Sequence, residues 1–229
     1  ISLAIAASLI LATGCEDATD EVNPQTQNEV IVVDENGYTD FDAKALADSF
    51  VTSPSGLTED EIAGIMLMRE EEKLASDVYA SLYEVWGQQS FSNISASEKT
   101  HFEAVGALIT YLELTDPATQ EQGTYTNKDL QELHDGLIEE GNTSLEAALK
   151  VGAAIEEIDI LDLQELLNQT DNQDLTLVYE NLQKGSRNHL RAFYRQLENN
   201  GVTYTPQYLD EETFQDIIKS DIERGPYGN

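Results

Sequence analysis

A glutamate and a histidine three residues apart are the first residues of this sequence that could do chemistry. In the segment FSNISASEKTH, His101 follows Glu98, and at about 100° per residue the two side chains lie on one side of a helical turn. A carboxylate and a neutral imidazole together are ligands that suit iron, manganese or zinc. The pair predicts part of a metal site. The alternative is that Ser95 to Glu98 form a capping box, in which case Glu98 only caps its helix.

Two further segments place a polar side chain within an apolar helical stripe. In MREEEKLASDVY, Glu72 shares a face with Met68, Ala75 and Tyr79, and in GSRNHLRAF the face of His189 continues into Phe193. A helical interior tolerates polar groups only where they are paired or bind a metal. We therefore expect Glu72 and His189 to be ligands of the same site. The alternatives are that Glu72 is an ordinary solvated residue of its run of three glutamates and that His189 is a core histidine with satisfied hydrogen bonds.

A fourth segment offers three acidic residues among aliphatic ones. Glu156, Glu157 and Asp159 lie in the run AAIEEIDILDL. Glu156 is slightly favoured as a ligand over Glu157 because it shares a face with apolar residues one turn further on. Asp159 is either a ligand or the partner of an arginine, Arg187 or Arg191, in a buried ion pair.

These segments fall on long predicted helices. The apolar spacing and the cap signals predict helices over about 58–86, from 92–95 to about 114, and over about 127–140, 143–169, 171–199 and 210–222. Thr58 to Glu61 form a capping box, and Gly87 ends the first helix. Four helices of roughly 20 to 30 residues, with short helices inserted, predict an all-α protein built as an antiparallel four-helix bundle.

The four segments together resemble the ferritin-like superfamily, in particular the rubrerythrin-like di-iron proteins. The resemblance lies in Glu72 followed by Tyr79, in Glu98-x-x-His101, and more loosely in the last two long helices. Over residues 57–220 the chain looks more narrowly like an uncharacterised ferritin-like domain family of secreted or lipidated bacterial proteins. The resemblance implies an antiparallel ferritin-like bundle holding one or two ions of iron, or of manganese or zinc in its place.

One position departs from the pattern of that superfamily. The fourth long helix would read Glu-x-x-His, but Ser186 stands three residues before His189. The second metal position is then one carboxylate short unless Asp159 or Glu157 supplies it. Glu180 cannot, because nine residues at about 100° each place it on the opposite face from His189.

The N-terminal residues predict export and a membrane anchor. Residues 1–14 read as a truncated signal peptide, since 12 uncharged residues are too few to span a bilayer and are followed by Thr13-Gly14-Cys15. Ala12 to Cys15 resemble the bacterial lipobox, which implies lipidation of Cys15. Residues 16–56 carry ten acidic residues and one lysine, so we expect residues 15–56 to be an extended acidic linker. The bundle then covers 57–222, and residues 223–229 form a C-terminal tail.

Composition limits the partners and the function. With 44 acidic against 12 basic residues the net charge is −32, which excludes a nucleic-acid surface and favours metal ions as partners. The leading hypothesis is an envelope-tethered or secreted carboxylate–histidine metal protein at the periplasm or cell surface, not in the cytoplasm. If the metal is iron, an oxidase, a peroxidase or an iron-handling protein follows. The alternative is a metal-free helical lipoprotein that acts as a binding or scaffolding module. The membrane is contacted only through the lipid, and the sequence names no protein partner.

Overall fold

The computed structural model describes residues 31–33, 39–41, 43–53 and 56–224. Within these residues it contains a two-stranded antiparallel hairpin followed by seven helices. The predicted signal peptide, Cys15, most of the linker and residues 225–229 lie outside the described residues. The elements are β1 (Ile31–Val33), β2 (Thr39–Phe41), α1 (Ala43–Ser49), α2 (Glu59–Trp86), α3 (Gln89–Tyr111), α4 (Lys128–Gly141), α5 (Leu145–Gln169), α6 (Gln173–Asn199) and α7 (Glu211–Lys219).

The four long helices, α2, α3, α5 and α6, form two hairpins around one interior. α2 packs chiefly against α3 and α5 chiefly against α6, while α2 also contacts α5 and α3 contacts α6. The predicted capping box of α2 is confirmed, since Thr58 accepts a hydrogen bond from the Glu61 N–H and Glu61 accepts one in return. Gly87 ends α2 at φ 61°, a left-handed conformation that glycine adopts without strain. Apart from the two three-residue strands, the predicted all-α class is confirmed for the described residues.

The start of α3 differs from the prediction. The helix begins at Gln89, and its N-cap Gln88 makes no side-chain capping bond. Phe91 and Ile94 are fully buried, so core packing extends the helix upstream of the local capping signal. Glu98 therefore lies inside the helix, and the interpretation of Glu98 as a cap is wrong.

Part of the segment predicted as an extended linker packs onto the long helices. β2 and α1 contact α3, and Leu46 and Phe50 are buried in the core. Asp174 at the start of α6 accepts hydrogen bonds from the backbone N–H groups of Val51 and Thr52, at 2.8 and 2.6 Å. Residues 43–52 are thus part of the folded body, because two apolar side chains and a buried carboxylate fix them despite the acidic composition of the segment.

The C-terminal segment is also fixed to the body. α7 ends at Lys219, three residues earlier than predicted, and residues 220–223 after it bind side chains of α6. Glu223, predicted as the first residue of a free tail, binds the guanidinium groups of Arg187 and Arg191 at 2.6 and 2.9 Å. Residues 220–224 therefore belong to the packed structure.

Polar residues divide the core at the middle of each long helix. The buried apolar residues form two clusters, and on α2 the sequence passes from Met68 in one cluster through Glu72 to Ala75 in the other. On α3 it passes from Ile94 through Glu98 to Ala104. α5 and α6 also contribute residues to both clusters, and Glu156 and His189 lie near the middle of these two helices. None of the described helices has an apolar stretch long enough to cross a membrane.

Candidate metal centre

The polar interruptions of the four long helices meet in the interior as two overlapping groups of metal-ligand type. One group consists of Glu72, Glu98 and His101, and the other of Glu98, Glu156 and His189. Within each group the donor atoms lie within 4.8 Å of one another, and all five residues are fully buried. Glu98 belongs to both groups, so the two form one continuous centre.

The two carboxylate oxygens of Glu98 lie against the two histidines. Oε2 is 2.7 Å from Nδ1 of His101, and Oε1 is 2.7 Å from Nδ1 of His189. The outer carboxylates are slightly further away, with Glu72 Oε2 at 3.3 Å from His101 Nδ1 and Glu156 Oε2 at 3.4 Å from His189 Nδ1. The imidazole rings are stacked at 5.4 Å between centroids. Each histidine thus points one nitrogen at two carboxylates.

These close contacts are not hydrogen bonds of normal geometry. Among the described residues, both oxygens of Glu72, both oxygens of Glu98 and Oε2 of Glu156 accept no hydrogen bond, and Nδ1 of His189 makes none. A buried carboxylate without donors is costly unless a cation compensates it. Carboxylate oxygens and imidazole nitrogens that converge on one buried space are the arrangement that a metal ion requires once it displaces the protons of the histidines.

Charge coupling shifts the protonation of every member of the centre. Burial would lower the pKa of both histidines, but the charges of Glu98 and of the outer carboxylates raise it to about 9 for His101 and about 10 for His189. Burial raises the pKa of Glu72 to about 7 and that of Glu156 to about 8. Burial also acts to raise the pKa of Glu98, but the charges of the two histidines hold it well below its usual range. Without metal, protons therefore supply the positive charge that the carboxylates need.

Neighbouring groups orient the outer ligands. The hydroxyl of Tyr79 donates to Glu156 Oε1 at 2.6 Å, and this leaves Oε2 facing the centre. Ser97 Oγ lies 2.9 Å from Nε2 of His189. When Nε2–H donates to Ser97, Nδ1 presents its lone pair to the centre, which is the usual support for a metal-binding histidine. The sequence analysis used Tyr79 as part of the Glu72–Tyr79 pattern and as a core residue, but not as a group that orients a ligand, and it missed Ser97, whose position directly before Glu98 is the one signal available.

Gly185 on α6 makes room for His101. A Cβ atom at this position would lie 2.7 Å from Nε2 of the His101 ring, closer than real Cβ atoms approach. The ring can therefore sit against α6 only because residue 185 has no side chain. This requirement appears only once α3 and α6 are packed together.

The structure separates the three acidic residues of α5. Glu156 is in the centre, as favoured, whereas Glu157 accepts hydrogen bonds from the Tyr204 hydroxyl and from three backbone N–H groups of residues 207–209. Glu157 therefore fixes the segment before α7 and is not free to bind a metal. Asp159 is only 3% exposed and lies outside both ligand groups, beside Ser186.

The alternative prediction, that Asp159 forms a buried ion pair with Arg187 or Arg191, is wrong. Arg187 and Arg191 instead bind Glu223 from the C-terminal segment. The structure thus brings together five of the six predicted ligands, places Asp159 next to them, and does not describe the predicted lipidation site Cys15.

Fold and site together define a helical protein with a buried carboxylate–histidine cluster shared by four helices. Residues 61–221, which include every member of the cluster, match the family DUF2202, described as an uncharacterized protein domain, and the chain belongs to this family. The chain is 50% identical over 170 residues to the uncharacterized protein MJ0754 of Methanocaldococcus jannaschii, covering 74% of this chain and 92% of that protein. It is also similar to the crystal structure of hypothetical protein MJ0754 from Methanococcus jannaschii, with a TM-score of 0.74, 48% identity, and coverage of 76% and 99% of the two chains.

Proposed function

We propose that this protein is a metal-binding protein whose four long helices form a ferritin-like bundle around a centre for two ions. The observation that carries the proposal is the position of Glu98, whose two oxygens each lie 2.7 Å from a different histidine nitrogen. One ion is held by Glu72, Glu98 and His101, and the other by Glu98, Glu156 and His189. A carboxylate shared between two ions is the arrangement that two-metal centres use.

The donor set favours hard or borderline metals. Carboxylate oxygen and imidazole nitrogen suit iron, manganese and zinc, and we propose iron as the resident metal. Bound iron would supply one-electron chemistry with dioxygen or peroxide, which suits an oxidase, a peroxidase or an iron-handling protein. The contribution of the chain is to gather the ligands, to exclude water with two apolar clusters, and to orient Glu156 and His189 through Tyr79 and Ser97.

Metal-free protein, prepared with a chelator, tests the proposal when it is titrated with Fe(II) without oxygen, Mn(II) or Zn(II). We expect a rise in melting temperature, because an ion that binds only the folded state stabilises it by about 2.7 kcal/mol at about one hundred times its dissociation constant. Native mass spectrometry should show up to two ions per chain. A protein that takes up none of the three metals and shows no thermal shift would refute the proposal.

A second candidate function rests on Ser186. This residue stands on α6 where the ferritin-like pattern has a glutamate, and it is fully buried with its hydroxyl 3.1 Å from the Leu182 carbonyl and 3.4 Å from Asp159. The position therefore contributes no carboxylate. A centre that lacks a ligand would suit a metal-free helical module that binds other molecules with its acidic surface. The titration above separates the two functions, since only the module leaves the melting temperature unchanged.

We also propose that the protein is exported and held at the cell envelope by a lipid on Cys15. The support is the uncharged stretch 1–12 followed by Thr13-Gly14-Cys15. When the full precursor is expressed with its signal peptide, Cys15→Ser should move the protein from the membrane fraction to the soluble fraction. A variant that stays in the membrane fraction would place the anchor elsewhere.

A further inference from the structure

Asp159 is a buried carboxylate surrounded by other carboxylates. It lies on α5 one turn after Glu156, is 3% exposed, and has one oxygen 3.4 Å from the Ser186 hydroxyl, which also lies within hydrogen-bond distance of the Leu182 carbonyl. The groups that act most strongly on its charge are Glu72, Glu156, Glu98 and Glu71, and burial together with these four raises the pKa of Asp159 well above its usual range. Arg187 and Arg191, the arginines considered as its partners, bind Glu223 instead. The described groups that act most strongly on Asp159 therefore all disfavour its ionised form in the metal-free protein.

Without Asp159, the charges of the ions and ligands in the proposed centre do not balance. Two divalent ions carry four positive charges, whereas Glu72, Glu98 and Glu156 supply three negative ones when ionised. A fourth carboxylate would balance the centre in an interior where an unbalanced charge is costly. Asp159 can supply this fourth negative charge, because it shares a face of α5 with Glu156 and its charge interacts with that of Glu72 on α2.

Space for a movement of Asp159 is present next to its side chain. A cavity of about 20 Å³ borders Asp159 and is otherwise lined by Glu71 and five aliphatic side chains of α2, α4 and α5. Such a volume has room for about one water molecule. Of the six predicted ligands, Asp159 alone borders this cavity, so its side chain is not enclosed by protein atoms on that side.

We propose that Asp159 is the fourth carboxylate of the metal centre, supplied by α5 at the place where α6 carries Ser186. This inference rests on the proposed function, since it assigns a further ligand to the same two-ion centre. With metal bound, the Asp159 carboxylate would turn from the Ser186 hydroxyl and help to hold an ion. The centre is then complete with ligands from all four long helices, although α6 contributes only a histidine.

The test compares Asp159→Asn with wild-type protein, both prepared free of metal and titrated with Co(II) by calorimetry and by visible absorption. Changes in groups that only support ligands already alter metal affinity by about 10- to 100-fold, so we expect Asp159→Asn to weaken one of the two ions by at least about 10-fold. The metal-free variant should melt at a higher temperature than the metal-free wild type, because a carboxylate repelled by its neighbours is gone. Asp162→Asn, one turn further along α5, is the matched control and should bind two ions as the wild type does.

A compensating variant makes the test independent of folding defects. Asp159→Ala combined with Ser186→Glu moves the carboxylate from α5 to α6, into the space that the aspartate vacates. We expect the double variant to recover the affinity that Asp159→Ala loses. If Asp159→Asn binds two ions with wild-type affinity, Asp159 is not a ligand, although the proposed function survives. If wild-type protein binds neither Co(II) nor any of Fe(II), Mn(II) and Zn(II), the proposed function itself fails and this inference with it.

Discussion

Glu98 is the side chain that contacts both histidines, so its replacement tests whether the two ligand groups act as one centre. Glu98→Gln keeps the shape of the side chain but removes its charge and one of the two oxygens that lie 2.7 Å from His101 and His189. We expect both ions to bind at least about 10-fold more weakly, which is about 1.4 kcal/mol or more for each. His101→Ala should affect mainly the ion beside Glu72, and His189→Ala mainly the ion beside Glu156.

The assay is a Co(II) titration of each metal-free variant, followed by calorimetry and by visible absorption. Glu157→Gln is the matched control, because it makes the same change at a fully buried glutamate of α5 that lies outside the centre. It should leave both ions unaffected. A Glu98→Gln variant that loses affinity for one ion only, or for neither, would refute the idea of a shared carboxylate.

Three further predictions follow from the same geometry. The unfolding free energy of metal-free protein should fall as the pH rises from about 6 to about 10, measured by urea denaturation. The pKa values of His101 and His189 are raised to about 9 and about 10, so protonation of these histidines stabilises the folded state fully below pH 6.5, and this stabilisation is lost above pH 10. The pKa values of Glu72 and Glu156 are raised to about 7 and about 8, which also makes the folded state less stable as the pH rises. A flat or rising profile would contradict the coupling. Gly185→Ala should cost about 1–3 kcal/mol and weaken only the ion beside His101, whereas Gly136→Ala, with no atom near its Cβ, should be neutral or stabilising by up to about 1 kcal/mol. Glu157→Gln should lower the unfolding free energy by about 2–3 kcal/mol, because the charged acceptor of four hydrogen bonds is lost, and an unchanged melting temperature would show that these bonds contribute nothing.

Local signals in the sequence were enough to predict most of the helices and the ligand-bearing faces. The capping box at Thr58 and the glycine at 87 mark the ends of α2, and the spacing of Glu98 and His101 places them on one face of α3. Where a local signal conflicts with tertiary packing, the prediction was wrong. Ser95 to Glu98 have a capping pattern, but the burial of Phe91 and Ile94 extends α3 seven residues further upstream, so that its N-cap is Gln88.

The remaining features depend on contacts between distant segments. Glu156 and Glu157 are adjacent residues of the same type, so the sequence barely distinguishes them as ligands. Their roles differ because Tyr204 and the backbone of residues 207–209 bind Glu157. Arg187 and Arg191 both bind Glu223, which lies more than 30 residues away in the sequence, so they are not available to Asp159. The packing of Leu46 and Phe50 could not be predicted because the acidic composition around them favours an extended chain.

The most direct test of the two-ion centre is anomalous diffraction from crystals of the folded protein soaked in Mn(II) or Co(II). The account predicts two peaks about 3.5–4 Å apart inside the helices, one within about 2.0–2.3 Å of His101 Nδ1 and the other equally close to His189 Nδ1, with Glu98 between them. Peaks confined to surface carboxylates, with none next to either histidine, would contradict it.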